Sequence, residues 1–306
     1  MERSAFNDNY PIAQFGLTII VAFCVAIILT MISMAIALPI FGLTMKDMSS
    51  PEILNLPQNI NAMKYLQIFQ SIGLFVVPAF LLGKFFSGNS IHYLKLDNFP
   101  QVNRWLLACL LMLTAIPAID FLAELNSRIR LPEFMSGLQS YIESTSKAYQ
   151  QASDAFMKVT SLKGLAVNLL IIAVIPAFGE ELLFRGILQR IFINWTRNIH
   201  WGIIISAFLF SAFHMEFYAF FPRWLLGIMF GYMLVWTGSI WTPIFAHFLN
   251  NSIAVILYYL VHVKVLNETA TEFGTKPEFY LHTIILTIIS GFCVYLLYRK
   301  RVNVNS

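Results

Sequence analysis

An all-α fold, a polytopic membrane helix bundle of about eight transmembrane helices, is what the sequence predicts, on three observations. Of its 306 residues, 58% are hydrophobic and 12% are charged, about half the charged share of a soluble domain. The apolar residues come in runs of about 20 or more, the length a helix needs to cross a hydrocarbon core of about 30 Å. Segments of about ten alternating residues, which a membrane barrel would require, are missing, and backbone amides in lipid must then pair within their own helix.

Charged flanks and Pro/Gly punctuation place the helices at roughly 12–41, 65–86, 104–125, 164–195, 201–217, 220–236, 240–262 and 280–298. The first follows the polar stretch Met1 to Tyr10 and is too long for a cleaved signal peptide, so it reads as a retained span. The second follows a linker, 42–63, that carries Pro51 and Pro57. Between the third and fourth lies 127–163, whose segment Tyr141 to Val159 is polar and reads as a surface helix. The remaining spans follow one another with short connections. We therefore expect a single transmembrane domain, 1–306, with its catalytic core at about 164–262. No internal repeat is visible, so the inverted-repeat signature of many secondary transporters is missing.

The net charge of +4 includes the cluster Arg299, Lys300 and Arg301, a common juxtamembrane anchor, and gives no case for nucleic-acid binding. That cluster and Lys84, Lys95 and Arg104 fall on the same face of the predicted topology. A multi-pass protein of the cell membrane with both termini cytoplasmic is the resulting expectation, although the 127–163 loop carries five Lys/Arg of its own. Cys24, Cys109 and Cys293 lie in apolar stretches without paired spacing and read as packing residues.

Ionisable side chains at membrane depth cost a few kcal/mol each and mark function by default. His92, His200, His262 and His282 fall in loops or at span ends, which leaves His214 and His247. Among the acids, Asp120, Glu180 and Glu181 lie inside spans, with Glu124 and Glu216 near ends. Glu181 and Arg185 are four apart with the acid first, so they share a face and should pair; Glu180 is turned about 100° away and is left free to act as a base on water. The competing reading is one ionic network that only holds helices together. His247 and Asn251, also four apart, offer an imidazole and an amide donor from one face, as acyl-transfer chemistry wants, or else a plain interhelical hydrogen bond. Counted from the same end, Glu180, His214, His247 and Asn251 lie about 15, 13, 7 and 11 residues deep, so they could share one layer. Gly227 and Gly231 form a GxxxG, read as a close helix contact.

These residues together resemble the CAAX-processing and bacteriocin-processing intramembrane endopeptidases, the CPBP or Abi family. Its pattern is Glu-Glu-x-x-x-Arg, Phe-x-x-x-His and His-x-x-x-Asn on separate spans; here these are Glu180, Glu181 and Arg185, then Phe210 and His214, then His247 and Asn251. The approach Thr237 to Ile244 is also similar. The resemblance implies that Glu180 activates a water with help from His214, that His247 and Asn251 stabilise the oxyanion, and that Glu181 and Arg185 support the site. It implies membrane lipid and a prenylated or hydrophobic peptide or protein substrate as partners. Zinc held by Glu180, His214 and His247 is conceivable, but H-E-x-x-H is absent, and metal-free glutamate chemistry is the favoured reading. Two other readings stand beside it: a non-proteolytic membrane scaffold or bacteriocin-immunity protein of the same family, and a proton relay or transporter.

Overall fold

The computed structural model describes residues 10–48, 56–267, 269 and 274–301. Pro51 and most of the polar N-terminal stretch lie outside them. The described residues form helices and no strand. The long elements are α1 (Pro11–Phe41), α2 (Ile60–Ser87), α3 (Val102–Ser127), α4 (Ser136–Met157), α5 (Leu162–Thr196), α6 (Ile199–Phe213), α7 (Phe220–Thr237), α8 (Trp241–His262) and α9 (Tyr280–Arg299). Seven helices among the described residues are long and apolar enough to cross a membrane, and the protein is a polytopic membrane bundle.

The eighth expected span is α6, and here the sequence reading needs correction. It was expected to run to about residue 217 but stops at Phe213, with His214 as its C-cap and Met215 at a left-handed φ of 53°. Its 15 residues reach only about 22 Å, short of the hydrocarbon thickness. The chain therefore turns at His214 before completing a full span. Irregular backbone at that depth is tolerated only where protein or a wet cavity satisfies it. Ser211 Oγ donates to the Phe220 carbonyl at 2.6 Å and Asn126 Nδ2 donates to the Phe217 carbonyl at 2.8 Å.

A second departure is helical period. α2 and α5 contain π-helical stretches at Ile72–Val76 and Leu169–Val174, each just ahead of a proline, Pro78 and Pro176. Proline lacks the amide that would bond the carbonyl one turn back, and a widened turn is one way to absorb that loss. A third π stretch, Leu182–Leu188, carries Arg185. The bulge of α2 packs directly on α5: a Cβ on Gly179 would stand 3.0 Å from both Phe75 Cβ and Val76 Cγ2.

Two apolar clusters fill the bundle. Phe75, Leu82, Phe184, Ile187 and Phe210 join α2, α5 and α6; Leu111, Met112, Phe230 and Met233 join α3 and α7, with Cys293 of α9 beside them. α9 lies against α3, where Thr114 and Ser290 hydrogen-bond at 2.8 Å. Outward-facing Ile20, Ile27, Leu106, Ile284, Ile288 and Phe292 are exposed in the isolated chain, as a surface meant for lipid should be.

Candidate active site

α5 passes through the middle of the bundle, and from Gly179 to Gln189 every residue is buried. Glu181 and Arg185 form an ion pair at 2.9 Å with side chains 0% and 1% exposed. Two uncompensated charges there would be costly, so the pair needs further partners. Arg185 Nη2 donates to the Gly227 carbonyl at 3.2 Å, and its guanidinium lies 4.4 Å from the Phe210 ring centre. One turn on, Gln189 Nε2 donates to the Gly231 carbonyl at 3.2 Å. The GxxxG of α7 thus presents two bare carbonyls, four residues apart, to two donors four residues apart on α5. Gln189 had no signal in the sequence reading, since its partner lies 42 residues away.

Glu181 also holds His247: its Oε1 accepts from His247 Nδ1 at 2.9 Å across 66 residues. The ring is sandwiched further, stacked on Phe230 at 5.2 Å and edge-on to Phe210 at 5.9 Å. Because Nδ1 faces a carboxylate it carries a proton, and Nε2 faces the interior. His214 is oriented in a similar way. Its Nδ1 lies 2.8 Å from the Phe210 carbonyl, which can only accept, so its Nε2 points away with a lone pair.

Both Nε2 atoms converge on Glu180. Its Oε2 is 4.0 Å from His214 Nε2 and 4.0 Å from His247 Nε2, and this buried oxygen has no hydrogen-bond partner. A separation of 4.0 Å is too long for a direct hydrogen bond and suits a bridging water. The structure thus brings Glu180, His214 and His247 together. Asn251 is one turn beyond His247 on α8, but its Nδ2 donates to the Ile172 carbonyl in the π stretch of α5 at 2.9 Å, and its Oδ1 accepts from Asn250 at 3.1 Å.

The donor set does not match a zinc site as arranged. Adjacent ligands of a tetrahedral zinc at about 2.0–2.1 Å stand roughly 3.3 Å apart, against 4.0 Å from the carboxylate to each imidazole. Among the described residues no group of three or more His, Cys, Asp or Glu side chains is arranged to hold a metal ion.

Above Glu180, at the end of the bundle where α6 stops, a second polar layer surrounds the approach. Arg223 pairs with Glu216 at 2.7 Å. α4, expected to be a passive surface linker, lies across this end: Gln139 Nε2 donates to Tyr218 Oη at 2.9 Å, and Phe156 is buried. Tyr149 of α4 is raised in pKa by burial of its phenol first and then by the Glu216 charge, with Arg223 opposing and Glu180 adding. Nothing in the polar composition of α4 signalled that it would pack on this end of the bundle.

Comparison with known proteins gives two matches that overlap or resemble this region of the chain. Residues 162–253 match the family described as type II CAAX prenyl endopeptidase Rce1-like. The chain is also similar to the uncharacterized protein YpbD of Bacillus subtilis (strain 168), 30% identical over 104 residues, which is 32% of this chain and 49% of that relative. The match thus spans about half the length of the curated relative. No solved structure matches. Glu180, His214, His247 and Asn251 thus lie in the stretch, residues 162–253, that is similar to the Rce1-like family, within a multi-pass membrane helix bundle.

Proposed function

We propose that this protein is an intramembrane endopeptidase that hydrolyses a peptide bond of a prenylated or hydrophobic peptide or protein, using a water activated by Glu180. The observation that carries the proposal is the pair of 4.0 Å approaches from one unpartnered carboxylate oxygen to two imidazole Nε2 atoms. Glu180 and the lone pair of His214 Nε2 orient the water, and Glu180 takes its proton as the oxygen bonds to the scissile carbonyl carbon. The oxyanion that forms faces His247, whose imidazolium form can donate from Nε2 and is stabilised by Glu181 on the opposite nitrogen. Asn251 can add its second amide hydrogen, because only one is taken up by the Ile172 carbonyl. Glu180 then returns the proton to the amine as the C–N bond breaks, so water's atoms are divided between the two products.

The Rce1-like match supports a CAAX-type protease at the level of the family. We also propose that the protein resides in the cell membrane with both termini cytoplasmic, a reading supported by Lys95, Arg104, Arg190 and Arg299 at one end of the bundle.

Direct attack by water and attack by a protein nucleophile are separable. If Glu180 activates water, hydroxylamine added during cleavage of a farnesylated peptide diverts no product to hydroxamate, and heavy-oxygen water labels the new carboxylate in a single turnover. A trapped hydroxamate would refute the proposed role of Glu180.

A further inference from the structure

α4 lies across the end of the bundle where α6 stops, and two ties fix how it is turned. Near its start, Gln139 Nε2 donates to Tyr218 Oη at 2.9 Å. At its end the Phe156 carbonyl accepts from Asn168 Nδ2 at 3.1 Å, and Asn168 is held in turn by the buried Lys64, whose Nζ donates to its Oδ1 at 2.7 Å. Gln139, Ile142, Ser146, Ser153 and Phe156 are buried or half-buried and share one side of the helix, the side toward the bundle.

The two flanks of that side are unlike. On one, Phe134 in the turn that leads into α4 and then Leu138 and Tyr141 follow one another at steps of four and three, and they are 85%, 45% and 63% exposed. On the other, Glu143, Lys147 and Gln150 follow at steps of four and three and are exposed as well. At 100° per residue the two stripes stand about 180° apart around the helix, one on either side of the face packed on the bundle. Single exposed apolar residues are ordinary on a protein surface, but an aligned row opposite a charged row is the pattern of a helix lying in a membrane interface.

The depth of α4 agrees with that pattern. α6 starts after the polar turn Arg197–Asn198 and rises about 22 Å over its 15 residues, against a hydrocarbon core of about 30 Å. The turn Phe217–Ala219 that follows it therefore lies short of the far boundary of the core, and any tilt of α6 sets it deeper. Tyr218 of that turn is the residue that Gln139 bonds, so the start of α4 is held at the edge of the hydrocarbon rather than above the headgroups. We infer that α4 is an interfacial helix whose Phe134, Leu138 and Tyr141 flank is a lipid-binding surface, seated among the acyl chains of the leaflet at this end, with Glu143, Lys147 and Gln150 turned to water. The surface is separate from the Glu180 centre and does not depend on proteolysis.

Spin labels on single cysteines test this in the full chain, with Cys24, Cys109 and Cys293 replaced. The protein is reconstituted in phosphatidylcholine/phosphatidylglycerol vesicles, and collisions of each label with oxygen, which concentrates in lipid, and with a neutral nickel chelate present on both sides of the vesicle are read from power saturation. We expect the oxygen-to-nickel ratio to be several-fold higher at Phe134→Cys, Leu138→Cys and Tyr141→Cys than at Glu143→Cys, Lys147→Cys and Gln150→Cys. All six positions are at the surface, and Tm of each labelled protein checks that it is folded; Phe134→Cys, in the turn ahead of the helix, and Gln150→Cys decide if another variant is not. Ready nickel access at all six would place α4 in water and overturn the inference. Poor access of both reagents to the apolar three would show a protein partner or a second copy covering that flank, and would overturn its assignment to lipid. A uniformly high ratio at all six would overturn the division into two flanks.

Discussion

Glu180 and Glu181 are adjacent in sequence and opposite in circumstance. Glu181 is bonded through one oxygen to both Arg185 and His247 at 2.9 Å, whereas Glu180 is approached by His214 and His247 only at 4.0 Å. Glu180→Gln should therefore cost turnover, by about 10²–10⁴ or more for loss of a general base, while leaving Tm within a few degrees. Glu181→Ala and Arg185→Ala each strand a buried charge and should destabilise by about 3–5 kcal/mol, visible as a large fall in Tm in detergent. Equal Tm losses for all three would contradict the division of roles. The i,i+4 spacing made the Glu181–Arg185 pair legible in the sequence, and so was the odd carboxylate beside it. The bond from Glu181 to His247 was not, because it joins residues 66 apart and no local pattern encodes it. The placement of α4 was equally invisible: a Ser- and Gln-rich stretch carries no sign that Gln139 will bond Tyr218 at the end of the bundle.

Helix by helix, the spans were readable because length and hydropathy alone decide whether a segment can cross lipid. What could not be read was the internal period. A largely apolar run offers no stripe from which to distinguish a turn of 3.6 residues from the wider π turn, so the bulges at Ile72–Val76 and Leu169–Val174 have no sequence signature beyond the prolines that follow them, and the one at Leu182–Leu188 lacks even that. The premature end of α6 was also missed, since Met215 and Phe217 continue the apolar run. That end is what sets His214 at the depth of Glu180. α6 is in turn held by its crossing with α5, where a Cβ on Gly202 would stand 2.7 Å from the Ile193 backbone nitrogen and 2.8 Å from its Cα. Backbone atoms cannot step aside as a side-chain tip can. Gly202→Ala should push α6 off α5, destabilise by about 1–3 kcal/mol, and lower turnover even at temperatures where the variant stays folded. Full turnover in a folded Gly202→Ala protein would show that the α5–α6 crossing does not position His214.

For the molecule as a whole, the two ends of the bundle differ. One end gathers the turn after α2, the α5–α6 turn and the start of α8, tied by Asn98 Nδ2 donating to the Gly238 carbonyl at 2.7 Å. The other carries α4 and the break after α6. In a variant without the three native cysteines, Asn98→Cys and Arg301→Cys should be labelled by an impermeant maleimide from the cytoplasmic face, and Gln150→Cys from the opposite face. Labelling of all three from one face would contradict the proposed topology. The donor spacing around Glu180 further predicts that strong chelators leave turnover unchanged, as read by initial rates before and after exhaustive dialysis against them. The central claim is that Glu180 is the base for peptide hydrolysis within the bilayer. The most direct measurement is cleavage in liposomes of a panel of prenylated and unprenylated hydrophobic peptides, with wild type and Glu180→Gln protein reconstituted at equal density. Product from wild type and none from the variant is the outcome predicted here; equal cleavage by both, or no cleavage of any peptide by wild type, would contradict it.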